Sequence, residues 1–183
     1  MILIDSVQTP EELLQILELQ ERNHIDNIDD SEMYAQGFVT LRHTLPELQQ
    51  MNALAPSIIA KENGKMIGYA LVMIVEARSF FTPLESMFRN LEKLEYRNKP
   101  LNEYHYYVMG QICIDKDYRR TGVFNLLYQK HKEIYQNRFD FVITEVSTRN
   151  QRSYKAHERV GFKTIDVYQD ELDEWAVIVW DWS

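Results

Sequence analysis

The sequence predicts a single mixed α/β domain in which one parallel pair of strands lies among antiparallel strands. The chain of 183 residues is only slightly longer than the ~150 typical of one domain, so we expect a single domain over residues 1–183. Two units of strand followed by helix occupy residues 104–160, and such units place their strands in parallel. A hairpin before them and two strands after them predict antiparallel neighbours.

The first half predicts a strand, three helices and a hairpin. A short apolar strand covers residues 2–4. Thr9, Thr44 and Thr82 are each followed three residues later by glutamate, which is the pattern of a capping box, and the first two helices extend to about residues 23 and 54. The polar segment 24–36 predicts a loop or short helical turns. Asn63 and Gly64 centre a turn between strands at 57–61 and 66–78.

The second half alternates strands with helices. Strands are expected at residues 104–114 and 139–146, and the helices that follow them at 123–137 and 151–160. Gly161 ends the last helix. Two final strands, at 162–168 and 175–182, are joined by an acidic loop.

Composition and charge exclude several classes of protein. The net charge of −8 disfavours general nucleic-acid binding. Cys113 is the one cysteine, so neither an intramolecular disulfide nor a cysteine-built zinc site can form, and the five histidines lack metal-ligand spacing, which predicts no metal. The longest uncharged apolar run, 66–75, is shorter than the ~18 residues of a membrane span, and acidic residues stand where a signal peptide would be basic. We therefore expect a cytoplasmic protein without membrane contact.

A basic turn lies where the central strand ends and a helix begins. It carries Arg119, Arg120 and Gly122 just before the helix. Helix N-termini expose unpaired N–H groups with partial positive charge, so a glycine turn there suits a phosphate. On this segment alone, a tight basic turn without a ligand is an equal alternative.

A second segment combines an asparagine, a hydroxyl and an imidazole on one helix. Asn150 is a good N-cap, and Ser153 and His157 fall on one helix face, with Tyr154 about 100° away. A buried structural histidine is the simpler interpretation of His157 taken alone.

Together these segments resemble the GNAT superfamily of acyl-CoA-dependent N-acetyltransferases, most closely over residues 104–162. Arg119 and Gly122 match the family's phosphate turn, while Phe124 replaces a small residue. Asn150 matches the family's asparagine. Ser153 replaces an alanine, and His157 stands where many members have a tyrosine that is credited with protonating the departing thiolate.

The resemblance implies a twisted sheet with helices on both faces, splayed at the parallel pair so that acetyl-CoA enters between the strands. Backbone N–H groups of the basic turn would hold the pyrophosphate, and the end of the central strand would pair with the pantetheine arm. The residues implied to contact the cosubstrate are Ile112, Cys113, Ile114, Arg119, Arg120, Thr121, Gly122, Val123, Phe124, Asn150 and Ser153.

The resemblance also implies acetyl transfer to a primary amine of a small molecule or peptide. Glu145 is the candidate base, with Glu103 and His105 as alternatives, and His157 or Tyr154 is the candidate proton donor. A surface charge or structural hydrogen bond is the simpler interpretation of each base candidate. Acidic surroundings favour a cationic acceptor. A non-catalytic acyl-CoA-binding or interaction protein on the same fold stays open as the alternative function, and a homodimer stays open as the assembly.

Overall fold

A seven-stranded sheet forms the centre of the computed structural model, which describes residues 1–28 and 38–183. The strands in chain order are β1 (Ile2–Ser6), β2 (Ile58–Glu62), β3 (Lys65–Ile74), β4 (Glu95–Tyr96), β5 (Lys99–Pro100), β6 (Tyr106–Ile114), β7 (Phe141–Ser147), β8 (Lys163–Gln169) and β9 (Glu174–Asp181). They lie in the order β1-β2-β3-β6-β7-β9-β8, and β4 and β5 form a separate hairpin. All neighbours are antiparallel except β6 and β7, which run parallel. The predicted fold class and its parallel pair are confirmed.

Helices cover both faces of the sheet. The described residues form α1 (Pro10–Arg22), α2 (Leu45–Leu54), α3 (Glu85–Leu91), α4 (Val123–Tyr135) and α5 (Gln151–Val160). Successive side chains of β3 point to opposite faces. Tyr69 and Leu71 pack in the cluster that contains Ile16 of α1, whereas Ala70 packs in the cluster that contains Leu127 of α4. Strand β3 is therefore buried from both sides.

Two of the three predicted capping boxes are present. Thr9 and Thr44 each cap their helix, with Glu12 and Glu47 returning to the cap backbone. The expectation for Thr82 is wrong, because a 3₁₀ turn over Thr82–Leu84 precedes α3 and no side chain caps that helix. The carboxylate of Glu85 instead accepts hydrogen bonds from Arg78, at 2.8 and 3.1 Å, so it does not return to the threonine.

The hairpin between β2 and β3 forms as expected, with differences after it. Asn63 and Gly64 adopt φ of 51° and 79°, the left-handed geometry of a tight hairpin turn. The second strand ends at Ile74 rather than at residue 78, and a 3₁₀ segment follows over Val75–Phe80. Of the segment 24–36, Ile25–Asn27 forms a 3₁₀ turn as expected, and positions 29–36 lie outside the described residues. The β4–β5 hairpin was not predicted.

The parallel pair separates towards one end of the sheet. β6 and β7 are paired from Tyr106 opposite Phe141 to Val108 opposite Ile143, and no further. A hydrogen bond of 2.8 Å from the Thr144 hydroxyl to the carbonyl of Met109 marks where the strands part. On its other side β6 shifts register against β3 just after this point, which is the sign of a bulge. The bulge turns the end of β6 away from β7 and opens a gap between them.

Candidate active site

The turn before α4 adopts a backbone geometry that favours anions. Arg120 and Gly122 have φ of 67° and 92°, and Gly122 is the N-cap of α4 without any side-chain cap. Left-handed residues alternating with others turn successive N–H groups towards one point, and the first turn of the helix adds its own unpaired N–H groups. A Cβ at Gly122 would meet no atom within 4 Å, so the space in front of this turn is open.

A cavity of about 280 Å³ lies beside this turn, and we call it the arginine cavity. Its walls include the ends of β6 and α1, the turn itself and one face of α5. Four arginines line it: Arg119, Arg120, Arg152 and Arg159. Burial, and then the charges of the other three guanidinium groups, lower the pKa of Arg152. This chain with a net charge of −8 thus concentrates cations in one place, as an anionic ligand requires.

Arg119 also holds the turn in position. Its Nε donates to the carbonyl of Ile114 at 3.2 Å, and its Nη2 donates to Oδ1 of Asn23 at 2.6 Å. Asn23 ends α1, and its own carbonyl accepts the N–H of Val39 at 3.2 Å. The side chain of Arg119 therefore connects the turn to the end of β6 and to the segment that carries Val39.

The other residues predicted to contact the cosubstrate divide into two groups. One group lines the arginine cavity: Ile112, Cys113, Ile114, Phe124, Asn150 and Ser153. Val123 instead is buried in the core, and the hydroxyl of Thr121 donates to the carbonyl of Tyr118 at 2.5 Å. Burial raises the pKa of Cys113 to about 12, so its thiol stays protonated and unreactive at neutral pH.

A second cavity of about 380 Å³ lies on the other side of the gap, and we call it the glutamate cavity. Its walls come from β6, β7, α3 and the loop between β8 and β9. Five residues line both cavities: Phe38, Val39, Ile112, Asn150 and Ser153. The two cavities therefore meet where β6 and β7 separate.

Glu145 on β7 lines the glutamate cavity with one oxygen unpaired. Its Oε2 accepts a hydrogen bond from the hydroxyl of Tyr168 at 2.8 Å, whereas its buried Oε1 has no hydrogen-bond partner among the described residues. Burial raises the pKa of Glu145 to about 7, and the hydrogen bond from Tyr168 opposes this rise, while Asp170 and Asp166 add to it. The carboxyl group can therefore both release and accept a proton near neutral pH.

His157 lies at the wall of the same cavity but is not placed to donate a proton. Its Nδ1 donates to the carbonyl of Ser153 at 2.8 Å, so the proton is on Nδ1 and the buried Nε2 is bare. Burial lowers the pKa of His157 to about 4. The hydrogen bond with the Ser153 carbonyl opposes this fall in pKa without cancelling it, and the ring packs edge-on against Phe124, Tyr128 and Phe162. A neutral imidazole of this tautomer accepts a hydrogen bond at Nε2 and cannot donate there.

Three other candidate residues lie away from the gap. The hydroxyl of Tyr154 is 2.7 Å from Oγ1 of Thr164, and Tyr154 lines neither cavity. Glu103 and His105 are exposed and precede β6, at the opposite end of that strand from the gap. The structure thus brings Glu145, Ser153 and His157 together and separates these three residues from them.

Sequence reasoning missed three residues that contribute to the site. Arg152 and Arg159 are seven residues apart on α5, a spacing that places both on one helix face and could have been recognised as a basic stripe. Tyr168 carried no signal in the sequence, because its contact with Glu145 depends on the order of strands in the sheet.

Metal-ligand clusters and membrane-spanning helices are both absent from the part of the chain that the structure describes. No cluster of histidine, cysteine, aspartate and glutamate that could hold a metal ion occurs in residues 1–28 and 38–183. Within the same ranges, no helix has the length and apolar character needed to cross a membrane.

The comparisons with known proteins define a class for this fold and site. The chain matches the acetyltransferase (GNAT) family over residues 13–162, whereas comparison with curated proteins gives no match. Among solved structures, the fold resembles the ribosomal-protein-S18-alanine N-acetyltransferase from Escherichia coli, with a TM-score of 0.67 and 15% identity over 100% of this chain and 95% of that one. It also resembles Arabidopsis thaliana Naa50 in complex with the bisubstrate analogue CoA-Ac-MVNAL (TM-score 0.65, 15% identity, 99% of each chain). Arabidopsis thaliana NAA60 in complex with acetyl-CoA is similar too (TM-score 0.66, 14% identity, 99% of each chain).

The protein belongs to the GNAT acetyltransferase family, because the family match covers most of the chain. The family resemblance drawn from the basic turn and from α5 is confirmed. At 14–15% identity the solved structures establish the shared fold alone.

Proposed function

We propose that this protein transfers an acetyl group from acetyl-CoA to a primary amine of a small molecule or peptide, by direct attack and in the cytoplasm. The proposal rests on one observation: a cavity lined by arginines and a cavity lined by Glu145 meet at the gap between β6 and β7. Cations and open N–H groups line one, and a carboxyl group that titrates near pH 7 lines the other. A thioester held from the first side would present its carbonyl to an amine held from the second.

The arginine cavity suits the coenzyme. The turn at Arg120 and Gly122 offers N–H groups to a pyrophosphate, and the four arginines supply charge around it. Beyond Val108 the edge of β6 that faces β7 has no strand partner within residues 1–28 and 38–183. The amide and carbonyl groups of residues 112–114 that point to this edge, apart from the Ile114 carbonyl that accepts from Arg119, are therefore available to an extended chain that carries amides, as pantetheine does.

Glu145 is the group that would deprotonate the acceptor. Alkyl ammonium groups titrate near 10.4, so most of the acceptor is charged at neutral pH and cannot attack. The unpaired Oε1 of Glu145 accepts that proton, and the acidic groups Asp166 and Asp170 around it favour a cationic acceptor. The amine nitrogen then bonds to the acyl carbon as the carbon–sulfur bond breaks, and the coenzyme leaves with the electron pair on sulfur.

Ser153 is the residue best placed to assist the departing sulfur. Among the described residues that line both cavities, it alone carries a hydroxyl group. Its hydroxyl can donate a hydrogen bond to a thiolate, whose reference pKa is near 8.5, and solvent then supplies the proton. The bare Nε2 of His157 does not serve this step.

Release of free thiol from acetyl-CoA over a panel of amines tests the proposal. The panel should contain diamines, amino-acid amides and short peptides with free N-termini, and the binding of CoA should be measured in parallel by calorimetry. We expect CoA binding and thiol release with at least one amine, and Glu145→Gln should abolish the release while leaving CoA binding intact. If CoA binds and no amine supports turnover, the result favours the non-catalytic acyl-CoA-binding alternative.

A further inference from the structure

Tyr168 contacts Glu145, the candidate base, although the strands that carry the two residues do not pair with each other. β9 lies between β7 and β8, and Tyr168 on β8 stands opposite Trp175 on β9. Glu145 on β7 stands opposite Val177 on β9, two residues along the same face. The phenol of Tyr168 therefore crosses β9 to place its hydroxyl 2.8 Å from Oε2 of Glu145.

This hydrogen bond makes the two carboxylate oxygens of Glu145 unequal. Oε2 accepts a hydrogen bond from the phenol, and Oε1 is buried at the wall of the glutamate cavity, which Tyr168 also lines, and has no hydrogen-bond partner in the part of the chain that the structure describes. Burial, followed by the nearby carboxylate, raises the pKa of Tyr168 above its ordinary value. The phenol thus stays protonated and remains a donor over the whole working pH range.

Other charged groups around Glu145 do not provide this contact. Asp166 and Asp170 act on it through their charge alone. Asp173 is engaged by Arg149 at 2.8 and 2.9 Å and by the hydroxyl of Ser147 at 2.6 Å. Among the described residues, the titratable and charged groups that act on Glu145 or line its cavity are Tyr168 and Asp166 from β8, Asp170 and Asp173 from the following loop, Arg149 from the loop after β7, and the neutral His157 from α5.

We infer that Tyr168 is a positioning residue, which holds one oxygen of Glu145 so that the other oxygen is directed at the acceptor amine. This inference rests on the proposed function, since it assumes that Glu145 is the base. Without the hydroxyl, the carboxyl group loses both its orientation and the only side-chain donor bonded to its ionised form among the described residues. Both losses should appear in the rate of acyl transfer and in its pH dependence.

Tyr168→Phe tests the inference, with Tyr96→Phe as the matched control. Both substitutions remove a phenolic hydroxyl that donates to a carboxylate at 2.8 Å, to Asp181 in the case of Tyr96, but Tyr96 lines neither cavity. The quantities to measure are the pH profile of kcat in the thiol-release assay, the KM for acetyl-CoA, and the titration of Glu145 by ¹³C NMR of glutamate-labelled protein. The NMR titration does not depend on activity.

We expect Tyr168→Phe to lower kcat about tenfold, and to move the acidic limb of the profile and the NMR titration upward by about one pH unit. The KM for acetyl-CoA should not change, and Tyr96→Phe should behave as wild type. Unchanged titration and kcat in Tyr168→Phe would overturn the inference while Glu145→Gln still removes activity, so the proposed function would stand. Full activity of Glu145→Gln would overturn the base assignment, and the role of Tyr168 with it.

Discussion

Replacing Gly122 by glutamate should weaken CoA binding through charge and shape at the phosphate turn. The residue has φ of 92° and faces open space, so a glutamate side chain would extend into the region where the pyrophosphate is proposed to lie. Its carboxylate would also neutralise part of the field of the four arginines that line the arginine cavity.

The size of the effect follows from Coulomb's law. At a separation of about 5 Å and the dielectric constant of water, one pair of unit charges interacts by ~0.8 kcal/mol, and two phosphate charges give ~1.7 kcal/mol. This corresponds to a loss of about 15-fold in affinity. The loss grows where water is excluded, so we expect at least a tenfold increase in the Kd of CoA.

Gly64→Glu is the matched control, because Gly64 also has a positive φ of 79° and a Cβ there would likewise meet nothing within 4 Å. Both substitutions place a non-glycine residue in left-handed geometry, at about 1–2 kcal/mol each, so both should lower Tm. Calorimetry should show weaker CoA binding for Gly122→Glu alone, and less so at high salt. Equal CoA affinity in the two folded variants would refute the site.

Three further predictions concern the arginines and the buried histidines. Arg159→Gln should raise the Kd of CoA about threefold to tenfold and reduce its salt dependence, and calorimetry at two ionic strengths would detect this. His157→Ala should lower Tm by several degrees and kcat less than tenfold; a hundredfold loss of kcat at unchanged Tm would restore His157 as the proton donor. Burial lowers the pKa of three imidazoles to about 4, 3 and 4, in His43, His131 and His157. Below pH ~6.5 these histidines bind protons in the unfolded chain but not in the folded protein, so they destabilise the fold only below that pH, and Tm should fall on acidification towards pH 4. Glu145 has the opposite effect, because its raised pKa lets the folded protein bind one proton that the unfolded chain releases.

Local patterns in the sequence were enough to place most elements. Some motifs form within a few residues and do not depend on the rest of the fold. They are the capping boxes at Thr9 and Thr44 and the turn at Asn63 and Gly64. The capping box expected at Thr82 does not form, because Arg78 donates a hydrogen bond to Glu85, the glutamate that would complete it. The competing partner in that case comes from the preceding 3₁₀ segment, whose position is set by tertiary packing.

The site was predictable to the extent that it depends on backbone motifs. The turn at Gly122 and the helix cap at Asn150 follow from residue types and spacing. The protonation state of His157 was not predictable, since it depends on burial and on which carbonyl its Nδ1 meets. The environment of Glu145 was not predictable from the sequence either, because the hydroxyl of Tyr168 contacts it across an intervening strand.

The hydrogen bonds of Arg119 should couple the binding of the proposed acyl donor to the binding of the proposed acceptor. Arg119 contacts Asn23, whose carbonyl holds Val39, and Val39 lines both cavities. A ligand that immobilises the turn would therefore also immobilise part of the wall of the glutamate cavity, where the acceptor is proposed to bind, and would lower the entropy that the acceptor must still lose. Substitution of Arg119 should consequently change the apparent affinities for donor and acceptor in the same direction, and the two effects would be thermodynamically linked rather than separable.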